Sequence, residues 1–219
     1  MKSGWFWGTW RWAQYEFWYY HGQLAPVYKS SPLANDHDLN DPDGRFTVEE
    51  RKSRVLDLAI DGLRGARKSY RHLINRGTKT YRIEPCNDIA VLHALHLQSA
   101  GRETRHGATW DLMGSWIEEG AGLQVVARGQ DGAPVAAAYF IIHEQAAYYA
   151  VSAKSVNDAM HALIYQASRR LYDMGVRRLE MGDVGYSNTK EQGIALFKTG
   201  FGGADHPYLL ATRKGGAYA

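Results

Sequence analysis

The sequence predicts an α/β (α+β mixed sheet) fold, a mixed sheet covered by helices. Three observations lead there. The runs "LQVVARG", "PVAAAYFIIH" and "AAYYAVS" follow one another across the short turns "QDGA" and "EQ", the pattern of an antiparallel meander. Behind them the periodicity switches to helix, strand, helix, strand, ending in "PYLLATR". Ahead of them lie helical patterns broken by one strand-like run, "KTYRIEP".

Taken in order, residues 1–46 form an aromatic extension and loop. "WFWGTWRWAQYEFWYY" follows neither a period of 2 nor one of 3.6, and it is too aromatic for a free tail. It is expected to pack on the domain or on a second copy, as a homo-oligomer contact. "KSSPLANDHDLNDPDG" is rich in turn formers and reads as a loop. Thr47 and Glu50 make a T-x-x-E capping box, so a helix is expected to start there and the main domain to span residues 47–219. A second helix, "ARKSYRHLINRG", follows the interruptions at Gly62 and Gly65.

"NDIAVLHALHLQSAGRE" reads as a helix capped by Asn87 or Asp88, with Ile89, Leu92, His96 and Leu97 near one face. "TWDLMGSWIEEG" is a shorter helix. After the meander, "NDAMHALIYQASRRLYDMG" is a long helix with Asn157 as its cap and Gly175 as its stop. "VRRLEMGDV" is a strand and "NTKEQGIALFKTG" a helix, with Ile194, Phe197 and Phe201 as its buried stripe.

With 45% hydrophobic and 22% charged residues over 219 positions, the chain can bury a sizeable core. No run of about 18 apolar residues occurs, so no membrane span is expected. The first twenty residues lack the aliphatic core and small-residue cleavage site of a signal peptide. The single Cys86 excludes an internal disulfide and fits a cytoplasmic setting. A net charge of +3 and a pI near 8.9 permit an anionic partner without demanding one. His93 and His96 are three apart on a helix, but no H-E-x-x-H and no Cys cluster accompanies them, so no metal is expected. P-loop, G-x-S-x-G and G-x-G-x-x-G patterns do not occur, which removes sequence support for nucleotide hydrolysis and serine-hydrolase chemistry.

The element order resembles the GNAT acyltransferase fold. "FKTGFGG", set after "RRLEMGDV" and a polar loop, resembles the Fem-like branch, the peptidyltransferases related to FemA, FemB and FemX. "LRGARKSYRHLINRG" is similar to that branch's basic helix, and "SAGRETRHGATWDLM" to its T-x-x-R helix with following aromatics. The resemblance covers residues 55–212. Members of the branch carry two GNAT-like subdomains. This chain has room for one, and its N-terminal extension is read as a remnant of the other.

The resemblance implies an enzyme that makes an amide bond, with no bound cofactor. The implied donor is the 3′ end of an aminoacyl-tRNA, alternatively acetyl-CoA or another acyl-CoA, and the implied acceptor is a small amine. The acceptor classes are a cell-wall precursor, an amino sugar or a natural product. A non-catalytic, partner-binding remnant is the third reading. Standard acetyl-CoA-dependent relatives hold pyrophosphate on a glycine-rich loop at a helix N-terminus. The matching stretch here, "SAKSVNDAMHA", has no glycine, although Lys154 offers a cation.

The resemblance places Lys198, with Phe197 before it, at the reacting carbonyl, where an ammonium stabilises an oxyanion or a terminal phosphate. The plain alternative is a lysine whose stem lies on apolar neighbours. Arg67, Lys68 and Arg71 on one helix, and Arg102 and Arg105 ahead of Trp110, are the implied phosphate contacts. Each set also reads as a solvated face. Asp183 at a strand end either accepts the amine proton or caps a turn. Tyr186 and Asn188 share that ambiguity. Tyr148, Tyr149 and Ser152 lie on the third meander strand, which borders the donor cleft in a GNAT sheet. Alternation makes one of the two tyrosines structural.

Overall fold

The computed structural model describes residues 12–14, 27–30, 44, 46–59, 65–105, 107–156, 158–185 and 189–214. Nine strands among them form one sheet in the order β1-β2-β9-β3-β8-β7-β6-β5-β4. The meander is β5 (Gly122–Arg128), β6 (Pro134–His143) and β7 (Ala146–Lys154), and β4 (Arg82–Pro85) extends it at one edge. The other half holds β8 (Arg178–Asp183), β3 (Phe46–Asp57) and β9 (Ala204–Arg213), followed by β2 (Val27–Ser30) and β1 (Trp12–Gln14). Every pairing is antiparallel except β7 with β8. The two strands from the N-terminal extension thus continue the sheet. The rest of its aromatic run, and the contact expected of it, lie outside the described residues.

The alternation of β6 sorts the core onto two faces. Ala136, Ala138 and Phe140 join Leu163, Ile164, Leu171 and Phe201 on one side. Ala137, Tyr139 and Ile141 join Leu92, Trp110 and Met113 on the other. Helices α1 (Lys68–Thr80) and α4 (Ala159–Asp173) therefore cover the first face, and α2 (Ile89–Ala100) and α3 (Gly107–Glu118) the second. Helix α5 (Thr189–Thr199) leads into β9. No helix among the described residues is long and apolar enough to cross a membrane.

The chief departure from the sequence reading is at Thr47. The T-x-x-E pattern there starts no helix. Residues 46–57 are strand β3, paired with β9 from Phe46↔Arg213 to Val55↔Ala204 and with β8 on its other edge. Pairing on both edges outweighs a local capping signal, and Thr47, Val48 and Val55 suit a strand. Three smaller corrections follow. Asp158, not Asn157, occupies the N-cap of α4. Leu97 is exposed, and Leu92 with Leu95 forms the buried face of α2, which Asp88 caps through Ala90 N. Ile194 is 41% exposed, so the buried part of the α5 run is Phe201 and Lys198, with Phe197 half-buried.

Two close approaches fix the helices. A Cβ on Gly77 would lie 2.6 Å from Ala162 Cβ, so α1 meets α4 at its glycine. Gly202 and Gly203 both have positive φ and turn the chain from α5 into β9 against the backbone of Gly65 and Val55.

Candidate active site

The site is built where β7 and β8 part. Their ladder holds at Ala146↔Arg178, Ala147↔Leu179 and Tyr148↔Glu180, and no further pair forms between them among the described residues. On β7 the register against β6 shifts, with Tyr149 facing Phe140 and Val151 facing Tyr139, so Ala150 is an extra residue. Such a bulge bends a strand and re-aims its side chains. The backbone edges beyond Tyr148 and Glu180 flank an opening in the sheet.

Gly182, with φ +82°, lies on the β8 side of that opening. A Cβ there would sit 3.4 Å from Lys198 Nζ and 3.5 Å from Tyr148 Oη. Both groups therefore flank the same α-carbon, at a position whose backbone suits glycine. Lys198 comes from the last turn of α5 and is 8% exposed. Its Nζ donates to the main-chain carbonyl of Asp183 at 2.8 Å.

The Asp183 side chain serves three donors. Its Oδ1 accepts from Gly185 N at 3.0 Å, capping the turn after β8. Its Oδ2 accepts from Arg51 Nη1 and from Tyr208 Oη, each at 3.1 Å. Burial opposes the Arg51 charge, but hydrogen bonds to Glu49 and Asp183 outweigh it and its pKa is raised. Burial, then the Asp183 charge, raises the Tyr208 pKa, so this phenol stays protonated. Below them Ser53 donates to Glu180 Oε1 at 2.6 Å, joining β3 to β8 inside the sheet.

The other sequence candidates fall into separate places. Tyr149 packs on Phe140 and donates to Ser152 Oγ, and burial pushes its pKa up to about 12. Of the two tyrosines, Tyr148 is therefore the one beside Lys198. Phe197 packs edge-on to His161 and Phe201. Arg67 ties down the end of α5, donating to Leu196 O at 2.9 Å and Thr199 Oγ1 at 3.1 Å. Lys68 and Arg71 are exposed on α1, and Lys154 is exposed at the end of β7.

Arg102, Arg105 and Trp110 belong to the opposite face of the sheet. The Arg105 guanidinium lies 5.9 Å from the Trp110 ring centre, and Trp110 is 3% exposed and stacked on His93. This set and the α1 set are thus not brought together. His93 pairs with Glu103, and His96 lies near the Thr104 hydroxyl. Tyr186 and Asn188 lie outside the described residues.

Arg51, Tyr208 and the preference for Tyr148 escaped the sequence reading. The capping pattern at Thr47 points to a helix through Arg51. Read as a strand, "EERKSRV" sets Arg51 and Ser53 on one side, and that alternation was the available signal.

No protein-family model and no curated protein matches this sequence. Solved structures do share its fold. FemX aligns at TM-score 0.60 and 11% identity, over 77% of this chain and 63% of that one. L-PGS from Bacillus licheniformis aligns at TM-score 0.55 and 15% identity, over 79% and 64%. The C-terminal domain of a putative lysylphosphatidylglycerol synthetase from Agrobacterium fabrum aligns at TM-score 0.54 and 15% identity, over 79% and 63%. The fold is therefore the GNAT acyltransferase fold, as the sequence led us to expect. The chain spans less than two thirds of the length of each of these structures.

Proposed function

We propose that this chain is a Fem-like acyltransferase that forms an amide bond, transferring an aminoacyl group from the 3′ end of an aminoacyl-tRNA to a small amine. The observation that carries the reading is Lys198, a nearly buried ammonium fixed on the Asp183 carbonyl at the opening between β7 and β8. The acceptor nitrogen attacks the ester carbonyl carbon and a C–N bond forms. Lys198 stabilises the resulting oxyanion, where a fixed charge in a water-poor site acts strongly. Collapse breaks the bond to the ribose oxygen, which takes the proton released by the amine. In this reading the Tyr148 hydroxyl, flanking the same Gly182, carries that proton across. Asp183 is a positioning residue, since Arg51, Tyr208 and Gly185 already occupy its carboxylate. No covalent enzyme intermediate is required.

One feature favours RNA over acyl-CoA as the donor. The N-terminus of α4, where a pyrophosphate would dock, carries the Asp158 carboxylate, held by Tyr81 and Arg76. A negative charge there opposes a second anion. The acyl-CoA reading remains the alternative, with Lys154 as its phosphate contact.

The test is amide formation from charged tRNA and from acetyl-CoA, assayed side by side with an amine panel. Turnover with charged tRNA alone is expected. Turnover with acetyl-CoA alone, together with thermal stabilisation by CoA, would overturn the donor assignment. Turnover with neither would favour a partner-binding protein.

A further inference from the structure

An acceptor amine has two protons to lose on becoming an amide. A primary alkylamine has a pKa near that of lysine, about 10.4, so near neutral pH it arrives as an ammonium. One proton must leave before the nitrogen can attack. The second goes to the ribose oxygen on collapse. The ammonium also approaches Lys198, a like charge at the same opening, and like charges repel strongly where water is scarce. The acceptor therefore needs an anion beside the opening, able to take a proton.

Strand β8 holds two carboxylates, Asp183 and Glu180. Asp183 is committed to Gly185 N, Arg51 Nη1 and Tyr208 Oη. Glu180 is placed differently. It forms the last rung of the β7–β8 ladder, Tyr148↔Glu180, beyond which no pair forms among the described residues. Leu179 and Met181, on either side of it, belong to the core on one face of the sheet. Tyr148 packs with the core on the other face. Alternation puts the Glu180 side chain on the Tyr148 side. Gly182, two residues on, marks the same place: a Cβ there would sit 3.5 Å from Tyr148 Oη and 3.4 Å from Lys198 Nζ. A carboxylate, a phenol and an ammonium thus meet where the two strands part.

Glu180 is 2% exposed, and its Oε1 accepts from the hydroxyl of Ser53, itself fully buried. A hydroxyl orients a carboxylate without neutralising it. Held out of water, that charge attracts an entering cation more strongly than it would in solvent.

We infer that Glu180 receives the ammonium of the acceptor and takes one of its protons, so that the acceptor is a protonated primary amine. The inference rests on the acyl-transfer reading above and adds the chemistry of the acceptor. An N–H bond of the ammonium breaks, its electron pair stays on nitrogen, and the proton passes to the Glu180 carboxylate. The freed pair attacks the ester carbon. Glu180 returns its proton to water once the product has left. Its negative charge also offsets the repulsion between the ammonium and Lys198.

The experiment compares the wild-type chain with Glu180→Gln, which keeps the shape and an oxygen for Ser53. Amide formation from charged tRNA is measured with butylamine and with hydroxylamine, a nucleophile that is neutral at the assay pH, each corrected for the enzyme-free rate. General-base catalysis is typically worth about 10²–10⁴-fold, so kcat/KM for butylamine should fall by that factor while hydroxylamine turnover holds. The butylamine rate of the variant should climb with pH as solution supplies the free amine. An equal loss with both nucleophiles marks a structural pair between β3 and β8 and overturns the inference. So does no loss with butylamine.

Ser53→Ala decides the matter if Glu180→Gln does not fold. It removes a hydrogen bond to the charged carboxylate, so the acid limb of the butylamine pH profile should move to higher pH. An unmoved limb overturns the inference. If the wild-type chain makes no amide from charged tRNA, the acyl-transfer reading fails and calorimetry with butylammonium chloride alone decides on Glu180. Binding that Glu180→Gln loses upholds the cation site, and binding that is absent or unchanged in the variant removes it.

Discussion

Lys198 Nζ donates to the main-chain oxygen of Asp183, while the carboxylate of the same aspartate takes Arg51 and Tyr208. One residue therefore orients an ammonium through its backbone and anchors three strands, β3, β8 and β9, through its side chain. The contact fixes the position of the ammonium at the edge of the opening between β7 and β8.

Replacing Lys198 by Met keeps the stem and removes the charge. Loss of one preorganised donor to an oxyanion typically lowers kcat by about 10²–10³, and that is the expected loss in amide formation. Melting temperature should hold or rise, because a buried charge is costly to keep. Full turnover by Lys198→Met would remove the lysine from the chemistry.

Asp183→Asn and Tyr208→Phe separate anchoring from chemistry. Asn leaves Arg51 facing a neutral amide, and a lost charge-assisted partner in this part-buried, partly solvent-screened pair costs about 1 kcal/mol in urea unfolding. Phe at position 208 removes one hydrogen bond, worth about 1 kcal/mol. Both should shift kcat with little change in how the rate varies with pH. A loss of the basic or acidic limb in Asp183→Asn would instead show that the carboxylate itself exchanges a proton with substrate.

The sequence made the meander legible because both of its turns are short and each strand alternates or is apolar throughout. It made Lys198 legible because "FKTGFGG" carries a local pattern. The partners of Lys198 were not legible in the same way. Arg51 and Tyr208 reach Asp183 from strands far apart in the chain, and β3 exists only through pairing with β8 and β9. A four-residue capping pattern at Thr47 cannot register that long-range pairing. Ile194 misled for a related reason. Lys198 and Phe201 at the end of the α5 run are buried, whereas Ile194, one turn earlier, meets solvent.

His161 gives a pH-dependent signature. Burial first, then the nearby Lys154 charge, lowers its pKa, while Asp158 pulls the other way. The unfolded chain then binds a proton that the folded imidazole refuses. Its contribution to stability is present above the ordinary histidine pKa of about 6.5 and is lost as pH falls through the lower folded value. His161→Phe should flatten this part of the stability profile, read as urea midpoints at pH 7.5 and pH 5.5. His96 is lowered in the same direction by burial and the Arg105 charge, so some acid sensitivity should persist in the variant. An identical profile in both proteins would show that His161 titrates as it does in the unfolded chain.

Two helical glycines give opposite predictions from one geometry. Alanine exceeds glycine in helix propensity by about 1 kcal/mol, so Gly→Ala should stabilise wherever space allows. At Gly114 in α3 an added Cβ meets Ile89 Cγ2 at 3.5 Å, an ordinary contact, and the variant should be more stable. At Gly77 the added Cβ falls 2.6 Å from Ala162 Cβ, an atom fixed to the α4 backbone that cannot swing aside. Overpacking of this kind typically costs about 1–3 kcal/mol, which outweighs the propensity gain. Gly77→Ala should therefore lower the urea midpoint, and adding Ala162→Gly should recover part of the loss by reopening the crossing. The recovery is the decisive readout. If Gly77→Ala destabilises but Ala162→Gly restores nothing, the close approach of α1 to α4 is not what the glycine provides.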